Sequence, residues 1–349
     1  MGHAYQAVQW NRQKRRYDLA LLGGVVLYLG AFVGVTSALQ PEATAETLLI
    51  RGLGTAAFLL LHVVLAIGPL ARLDRRWLPL LYNRRHLGVT MCALALLHGG
   101  FSLVQFHAFG DVNPLVSLLS SNTRFDSVAD FPFQPLGAAA LVILVLMAAT
   151  SHDFWLANLT APVWKALHML VYVAYALIAL HVALGVLQAE TSPVLWGAVA
   201  AGALALGTLH LLAARKDAAD DTRATPAAAP GPWIDACAVS EIREGRAKVI
   251  VAGGERVAIF RHGGRLSALS GVCQHQNGPL GEGRVVDGLV VCPWHGYQYR
   301  PQCGSSPAPF HERVPTFRLQ VEAGRVLLDP RPVPLGTELA PVATEEAAP

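Results

Sequence analysis

Six long apolar segments decide what this chain can fold into. They lie at residues 19–39, 51–70, 86–107, 134–150, 164–187 and 194–214. A helix of about 20 apolar residues crosses the hydrocarbon core of a bilayer, and the segments are close to that length. Hydrophobic residues make up 53% of the chain and charged residues 15%, against about a quarter in soluble proteins. The sequence therefore predicts an all-α bundle of six transmembrane helices over residues 19–214.

The distribution of lysine and arginine predicts the orientation of this bundle. One basic cluster lies in residues 1–18 and a second between the second and third segments, in residues 71–85. Clusters two spans apart lie on the same side of the membrane, and the positive-inside rule places that side in the cytoplasm. We therefore expect a bacterial cytoplasmic membrane protein with both termini in the cytoplasm. The net charge of +3 gives no reason to expect nucleic acid as a partner.

The composition changes after the last apolar segment. Residues 215–232 are rich in alanine and proline and predict a linker. Residues 233–330 hold short Val/Ile/Leu-rich runs bounded by Gly and Asp, which predict a small all-β domain. Residues 331–349 are rich in Pro, Ala and Glu, and we expect them to be disordered. The predicted fold is thus multi-domain, with a six-helix bundle followed by a small β domain.

A motif of four metal-ligating residues lies inside the predicted β domain. Cys273-x-His275 is followed after sixteen residues by Cys292-x-x-His295. Two thiolates and two imidazoles are the ligands of a Rieske [2Fe–2S] centre, but the same set also binds zinc. A Gly-rich loop and strand, rather than a helix, separate the two pairs, which favours the cluster. The other cysteines, Cys92, Cys237 and Cys303, are expected neither to bind the cluster nor to form disulfides.

Residues 233–330, with the second loop CPWHGYQY, resemble the Rieske ferredoxin family. The resemblance implies that Cys273 and Cys292 bind the inner iron, and that His275 and His295 bind the outer, solvent-facing iron. Rieske proteins of quinol-oxidising complexes carry an extra disulfide cysteine in each loop, whereas other residues fill those places here. The chain is therefore similar to the dioxygenase-ferredoxin subtype, at the low end of the Rieske range, roughly −150 mV.

Histidines inside the apolar segments indicate a second redox centre. An imidazole within a span is costly and usually has a partner, and facing histidines hold b-type haem axially. His86 and His168 are predicted near the inner face, with His98 and His181 about 18 and 20 Å deeper along their helices. Those levels match two stacked haems. The thirteen residues between His168 and His181 turn a straight helix by about 220°, so we expect a kink or two different partner helices.

Residues 45–212 resemble the ferric-reductase-like transmembrane domain, and most closely the MsrQ (YedZ) haem proteins. The matching stretches are IGPLAR, NRRHLG and WKALHMLVY. The resemblance implies that His98, His168 and His181 are haem ligands and that Arg84 lies near a haem. His86 departs from the family, whose members carry an apolar residue there, so it is either a fourth ligand or a cap of the helix start. Arg84 and Arg85 are the expected contacts of haem propionates.

These features predict an electron-transfer protein with a Rieske [2Fe–2S] cluster and one or two b haems. The expected donor is a soluble cytoplasmic reductase, and the expected acceptor is a quinone or a periplasmic protein. No G-x-G-x-x-G motif follows a strand, which argues against a nicotinamide-binding domain. Two other functions stay open: direct reduction of a ferric chelate or oxygen, and redox sensing. A helical domain without haem is a further alternative.

Overall fold

The structure is a computed structural model that describes residues 12–77, 80–81, 83–151, 155, 159, 161–185, 193–224, 233–275, 277–294 and 296–344. The chain forms two compact units. The first consists of residues 1–7, 156–165 and 213–349, and the second of residues 8–155 and 166–212. Strands build most of the first unit, and helices build the second.

The helices follow the apolar segments of the sequence. They are α1 (Arg12–Leu39), α2 (Ala45–Leu73), α3 (Arg84–His107), α4 (Pro114–Ser120), α5 (Gln134–Ala149), α6 (Ala161–Met169), α7 (Val171–Leu184) and α8 (Pro193–Ala224). Among the described residues, five helical stretches are long and apolar enough to cross a membrane: Lys14–Leu39, Ala45–Leu73, Arg84–His107, Val163–Leu184 and Trp196–Ala224. Helix α5 is apolar but has only 16 residues.

The fifth predicted helix, at residues 164–187, is interrupted. Helix α6 ends at Met169, Leu170 is a turn residue, and α7 begins at Val171. His168 therefore lies on one helical segment and His181 on the next. A kink was expected here, because thirteen residues of a straight helix would turn His168 and His181 onto different faces. The break lies between these two residues. The last residues of this predicted span, 186–187, lie outside the described part of the chain.

The sixth predicted helix is longer than the sequence indicated. We expected a linker from residue 215, but α8 continues as a helix to Ala224. Lys216 and Arg223 pair with Asp220 along its exposed side, at spacings that support a helix. Asp221 pairs with Arg256 of the β domain, so tertiary contact further holds this helical end. Residues 225–232 of the predicted linker lie outside the described residues.

The β domain of the first unit confirms the all-β prediction. Its strands are β1 (Ile234–Ala238), β2 (Ala247–Ala252), β3 (Glu255–His262), β4 (Arg265–Ser270), β5 (Arg284–Val286), β6 (Leu289–Val291), β7 (Gln298–Tyr299), β8 (Thr316–Phe317), β9 (Leu319–Glu322), β10 (Arg325–Leu328) and β11 (Val342–Ala343). They form antiparallel sheets with strand orders β1-β10-β9, β11-β4-β3-β2 and β5-β6-β7, and β8 also pairs with β4.

Two apolar clusters form the interior of this domain. One surrounds Val257, Ile259 and Leu266 between the first two sheets. The other contains Cys273 and Cys292 and lies where the small β5-β6-β7 sheet meets β3 and β4. The residues after 330 belong to the fold, contrary to the expected disorder. Strand β11 pairs with β4, so backbone hydrogen bonds fix the chain there. Residues 345–349 lie outside the described range.

The core of the helical unit lies around α2. Leu61 and Leu65 of this helix are almost completely buried, against Met91 of α3 and Leu144 of α5. Small residues at the contact, such as Ala140 of α5, allow the helices to approach closely. Many other apolar side chains of these helices remain exposed, as expected where helices face lipid. This packing fixes which faces of α2, α3, α5 and α7 point inward.

Candidate metal centres

Two short loops with the same backbone pattern carry the cysteine ligands. In the first, after β4, Cys273 N–H donates to Gly278 O at 2.9 Å and Asn277 N–H donates to Cys273 O at 2.8 Å. In the second, after β6, Cys292 N–H donates to Tyr297 O at 2.8 Å and Gly296 N–H donates to Cys292 O at 3.0 Å. The fourth residue after each cysteine has a positive φ, 56° at Asn277 and 73° at Gly296. Each loop thus closes tightly around its cysteine.

The two loops press against each other at Gly278. A Cβ atom at this position would lie 2.8 Å from the Cys292 Sγ and 3.2 Å from the ring of Trp294. Cys273 and Cys292 are 1% and 2% exposed and belong to one apolar cluster. The packing therefore encloses both thiols and requires glycine between the loops. This enclosure suits thiolates that share an iron shielded from water.

Tyr299 places a hydroxyl beside the first cysteine. Its Oη lies 3.4 Å from the Cys273 Sγ and accepts a hydrogen bond from Gln274 N–H at 3.1 Å. Because the amide occupies an acceptor position of Oη, the phenolic proton is free to point towards sulfur. Burial, and then the charge of Cys273, raise the pKa of Tyr299, so the phenol stays protonated. A hydroxyl donor to sulfur stabilises the added negative charge of a reduced cluster.

His275 is held by an aromatic neighbour. Its imidazole stacks on Tyr297 with ring centroids 5.1 Å apart and an angle of 11° between the planes. The hydroxyl of Tyr297 donates to the carboxylate of Glu312, and burial followed by this bond raises the tyrosine pKa. The fourth predicted ligand, His295, lies outside the described residues. Three of the four predicted cluster ligands are thus placed on or beside the paired loops.

The described residues hold no group of three or more ligating side chains around one ion. A two-iron cluster does not need such a group, because the thiolates bind one iron and the imidazoles the other. The donor set, the paired loops and the glycine between them fit a [2Fe–2S] cluster, which Cys273, His275, Cys292 and His295 would hold.

The helical unit brings two of the predicted haem ligands together. The imidazoles of His98 on α3 and His181 on α7 face each other with ring centroids 6.2 Å apart and planes at 85°. With metal–nitrogen bonds of about 2 Å and about 1.2 Å from nitrogen to ring centre, two axial imidazoles have centroids about 6.4 Å apart. The spacing fits one haem iron between His98 and His181.

Both imidazoles are oriented by the same kind of hydrogen bond. The Nδ1 of His98 lies 2.9 Å from the carbonyl oxygen of Ile50, and the Nδ1 of His181 lies 2.9 Å from that of Phe133. A carbonyl can only accept, so each Nδ1 carries the proton. Each Nε2 then keeps its lone pair for a metal, as is usual for metal-bound histidine.

Two glycines make room for these rings. A Cβ atom at Gly54 would lie 2.9 Å from the His98 Nδ1, and one at Gly137 would lie 2.7 Å from the His181 Nδ1. Only a residue without a side chain allows the imidazole to lie flat against the neighbouring helix. The glycines therefore complete the two histidine positions, although no motif in the sequence singles them out.

These contacts recur at a fixed distance along the sequence. The residues that contact His98 in α3 and His181 in α7 are related by an offset of 83 residues. The offset relates Ile50 to Phe133, Leu53 to Leu136, Gly54 to Gly137, Leu61 to Leu144, Leu94 to Leu177 and His98 to His181. A comparison of the sequence with itself at this offset is the signal that identifies the two glycines.

The predicted ligands His86 and His168, and a third histidine of the helical unit, His62, have other neighbours. His86 pairs with Asp18 of α1 at 2.6 Å, and the His168 Nε2 lies 3.4 Å from the hydroxyl of Ser151. His62 has both ring nitrogens engaged, by Phe58 O at 2.9 Å and the hydroxyl of Tyr175 at 3.1 Å. His62 is therefore a hydrogen-bonded core histidine, whereas the ligand roles of His86 and His168 stay predictions.

The two arginines predicted near haem propionates begin α3. Arg84 is partly buried and has Tyr172 and His210 among its electrostatic neighbours, whereas Arg85 is exposed. The His210 Nε2 is buried without a hydrogen-bond partner within the described structure. Arg84 thus faces other residues of the helical unit, and Arg85 lies at its surface.

Comparison with known proteins agrees with both sites. Residues 51–179 match the family described as the ferric reductase like transmembrane component, and residues 232–318 match the Rieske [2Fe-2S] domain. Together, these matches define a multi-pass membrane redox protein of the electron-transfer class. The helical domain and the iron–sulfur domain are joined in one chain.

Three curated proteins show the relationship in more detail. The alkene monooxygenase ferredoxin component of Xanthobacter autotrophicus is 35% identical over 103 residues, covering 29% of this chain and 84% of that protein. The anthranilate 1,2-dioxygenase ferredoxin subunit of Burkholderia cepacia is 34% identical, covering 27% and 88%. The heme-binding subunit MsrQ of the Caulobacter vibrioides protein-methionine-sulfoxide reductase is 33% identical over 152 residues, covering 43% and 67%. The chain therefore belongs to the ferric-reductase-like MsrQ family through its helical part and to the Rieske ferredoxin family through its C-terminal domain.

Proposed function

We propose that this protein carries electrons between a cytoplasmic [2Fe–2S] cluster and b-type haem within the membrane, and then outward to a quinone or a periplasmic acceptor protein. The observation that carries the proposal is the facing pair of His98 and His181, 6.2 Å apart between ring centroids. Similarity to a heme-binding MsrQ subunit supports haem as the group between them. When bound, the cluster and the haem each take up and release one electron at a time.

The protein residues set the conditions for that exchange. Hydrogen bonds from Nδ1 to the carbonyl oxygens of Ile50 and Phe133 orient the imidazoles of His98 and His181, so that their Nε2 atoms would be available to bind a haem iron. In the β domain, the Tyr299 hydroxyl is placed to donate to the Cys273 sulfur, and burial of both cysteines excludes water.

The number of spans and of haems forms part of the proposal. A helix of 16 residues is about 24 Å long, so α5 spans a bilayer if the membrane thins or flanking residues extend it. Six spans place the basic N-terminal segment and the Rieske domain on the same, cytoplasmic side. We propose a second haem near that side, held by His168 and His86, with Arg84 and Arg85 near its propionates.

A potentiometric titration of the purified full-length protein tests the proposal. Haem is followed by its optical bands and the cluster by its electron paramagnetic resonance signal. We expect both signals, with the cluster at a lower potential than the haems, so that a soluble cytoplasmic reductase can feed the cluster. A cluster potential well above the haem potentials would reverse the direction of electron flow. The absence of either signal would show that the protein lacks that centre.

Histidine variants test the axial pair. We expect His98→Ala and His181→Ala each to lose haem, whereas His62→Ala keeps it because hydrogen bonds already occupy both His62 nitrogens. Unchanged haem content in both ligand variants would contradict the assignment. Turnover of a ferric chelate or oxygen by the purified protein without a second protein would instead identify a reductase in its own right.

A further inference from the structure

The imidazole of His275 stacks against two aromatic rings of the first unit. One ring belongs to Tyr297 and the other to Trp164. The ring centroids of Trp164 and His275 are 5.5 Å apart, with an angle of 28° between the planes. His275 is 6% exposed and Trp164 is 7% exposed. The resemblance to Rieske ferredoxins implied a solvent-facing outer ligand. In this chain that ligand is covered.

The covering residue comes from a segment that is distant in sequence. Residues 156–165 belong to the same compact unit as the β domain, although they precede it by more than sixty residues. Trp164 is a member of the apolar cluster that contains Cys273, Cys292 and Tyr297, and Leu159 packs against that cluster. Leu159 and Trp164 are thus part of the core around the ligand loops.

We propose that Trp164 is a positioning residue for the iron–sulfur centre: its indole fixes the plane of the His275 imidazole and provides the contact through which an electron leaves the outer ligand. The inference rests on the proposed transfer between cluster and haem. Two nearly parallel rings on His275 leave the imidazole little freedom to rotate. A ligand of fixed orientation gives the cluster one magnetic environment and one electronic coupling.

Trp164 lies in the same helix as a predicted haem ligand. His168, a predicted haem ligand, follows Trp164 by four residues in the same helix. Residues at this spacing are neighbours on one helical face. The proposed step moves one electron from the reduced cluster to ferric haem, and it makes or breaks no bond.

The experiment uses full-length protein loaded with both centres, and compares Trp164→Leu with Trp164→Phe. Leucine keeps apolar packing but removes the ring, whereas phenylalanine keeps a ring over His275. Trp155→Leu is the matched control, because Trp155 lies nearby in sequence and is 41% exposed. Three quantities are measured: the g-values of the reduced cluster, its potential, and the rate of haem reduction after a laser-generated one-electron reductant reduces the cluster.

We expect Trp164→Leu to shift the g-values and to slow transfer by about tenfold, since small losses of orientation cost large factors in rate. Trp164→Phe should stay close to the wild type, and Trp155→Leu should not differ from it. Wild-type g-values and rates in Trp164→Leu would overturn the proposal. If that variant does not fold, Leu159→Ala loosens the same segment, and unchanged g-values there would overturn it equally.

The measurements distinguish a failure of the proposed function from a failure of the role proposed for Trp164. If wild-type protein shows both centres but no electron passes between them, the proposed function is wrong. The positioning role of Trp164 is then still judged by the g-values of its variants. If transfer is observed and depends on neither Trp164 nor Leu159, the proposed function stands and the role of Trp164 is wrong.

Discussion

His98 and His181 face each other in the helical unit with ring planes at 85° and Nδ1 atoms each 2.9 Å from a backbone carbonyl oxygen. The two carbonyls belong to residues that precede their histidines by the same 48 positions. The same kind of contact therefore orients both imidazoles.

The glycines beside these histidines give a direct test of the site. Gly54→Ala and Gly137→Ala should each reduce haem content or shift the haem bands, because the new Cβ would lie within 2.9 Å of an imidazole. Alanine favours a helix over glycine by about 1 kcal/mol, so loss of helix stability would not explain the result. Optical spectra of purified protein measure the effect.

Gly68→Ala is the matched control, since it lies in the same helix as Gly54 and its Cβ would meet nothing within 4 Å. We expect its haem content to equal that of the wild type. Equal spectra for all three alanine variants would show that the imidazoles are not confined as described.

Tyr299 should raise the potential of the iron–sulfur cluster. Tyr299→Phe removes the hydroxyl 3.4 Å from the Cys273 Sγ while keeping the ring in the core. A hydrogen bond worth about 1 kcal/mol more in the reduced state corresponds to roughly 40 mV in a one-electron couple, so we expect a decrease of that size. Potentiometry with electron paramagnetic resonance measures it.

Tyr297→Phe serves as the comparison for this variant. Its hydroxyl bonds to Glu312 rather than to sulfur, so its removal should change the potential less than the removal of the Tyr299 hydroxyl does. A larger shift in Tyr297→Phe than in Tyr299→Phe would contradict the proposed role of the Tyr299 hydroxyl.

The ion pair of Arg256 and Asp221 should hold the end of α8 on the β domain. Arg256 Nη2 donates to Asp221 Oδ2 at 2.8 Å and to Asp217 O at 3.2 Å. Because Asp221 is 40% exposed, we expect Arg256→Ala to lower the free energy of local opening of this segment by only about 1 kcal/mol. The amides of residues 213–224 should then exchange about fivefold faster. Hydrogen–deuterium exchange with mass spectrometry reads this segment directly.

The exposed pair of Lys216 and Asp220 supplies the control. Both side chains are almost half exposed, so Lys216→Ala should change exchange much less than Arg256→Ala does. Equal effects of the two variants would mean that the pair with the β domain has no special role in holding α8.

His262 should make the β3–β4 hairpin sensitive to acid. Its Nε2 lies 3.0 Å from the hydroxyl of Ser267, and burial lowers the pKa of His262 below its ordinary value. A histidine with a lowered pKa in the folded state favours unfolding when it is protonated. Stability is therefore complete above the unfolded pKa of about 6.5 and is lost as the pH falls below it.

Amide exchange of residues 255–270 at neutral and mildly acidic pH measures this effect. Acid should accelerate exchange in the wild type more than in His262→Gln, after correction for the intrinsic pH dependence of exchange. Identical pH dependence in the two proteins would assign the acid sensitivity to another group.

The sequence predicted apolar helices and a set of cluster ligands because both predictions depend on local signals. Apolar runs as long as a bilayer is thick mark the spans, and the spacing of Cys273, His275, Cys292 and His295 marks the ligand loops. The same local reasoning failed at residues 215–224 and 331–344. A tertiary ion pair supports a helix in the first segment, and pairing with β4 orders part of the second.

The sequence by itself determined which residues have the chemistry to hold iron and which segments are apolar enough to enter a membrane. Only the tertiary structure decided which histidines meet. His86, His98, His168 and His181 are similar as residues, but helix rotation and the break at Leu170 bring His98 and His181 face to face. The contact between Trp164 and His275 likewise depends on packing between distant segments, which no local sequence pattern predicts.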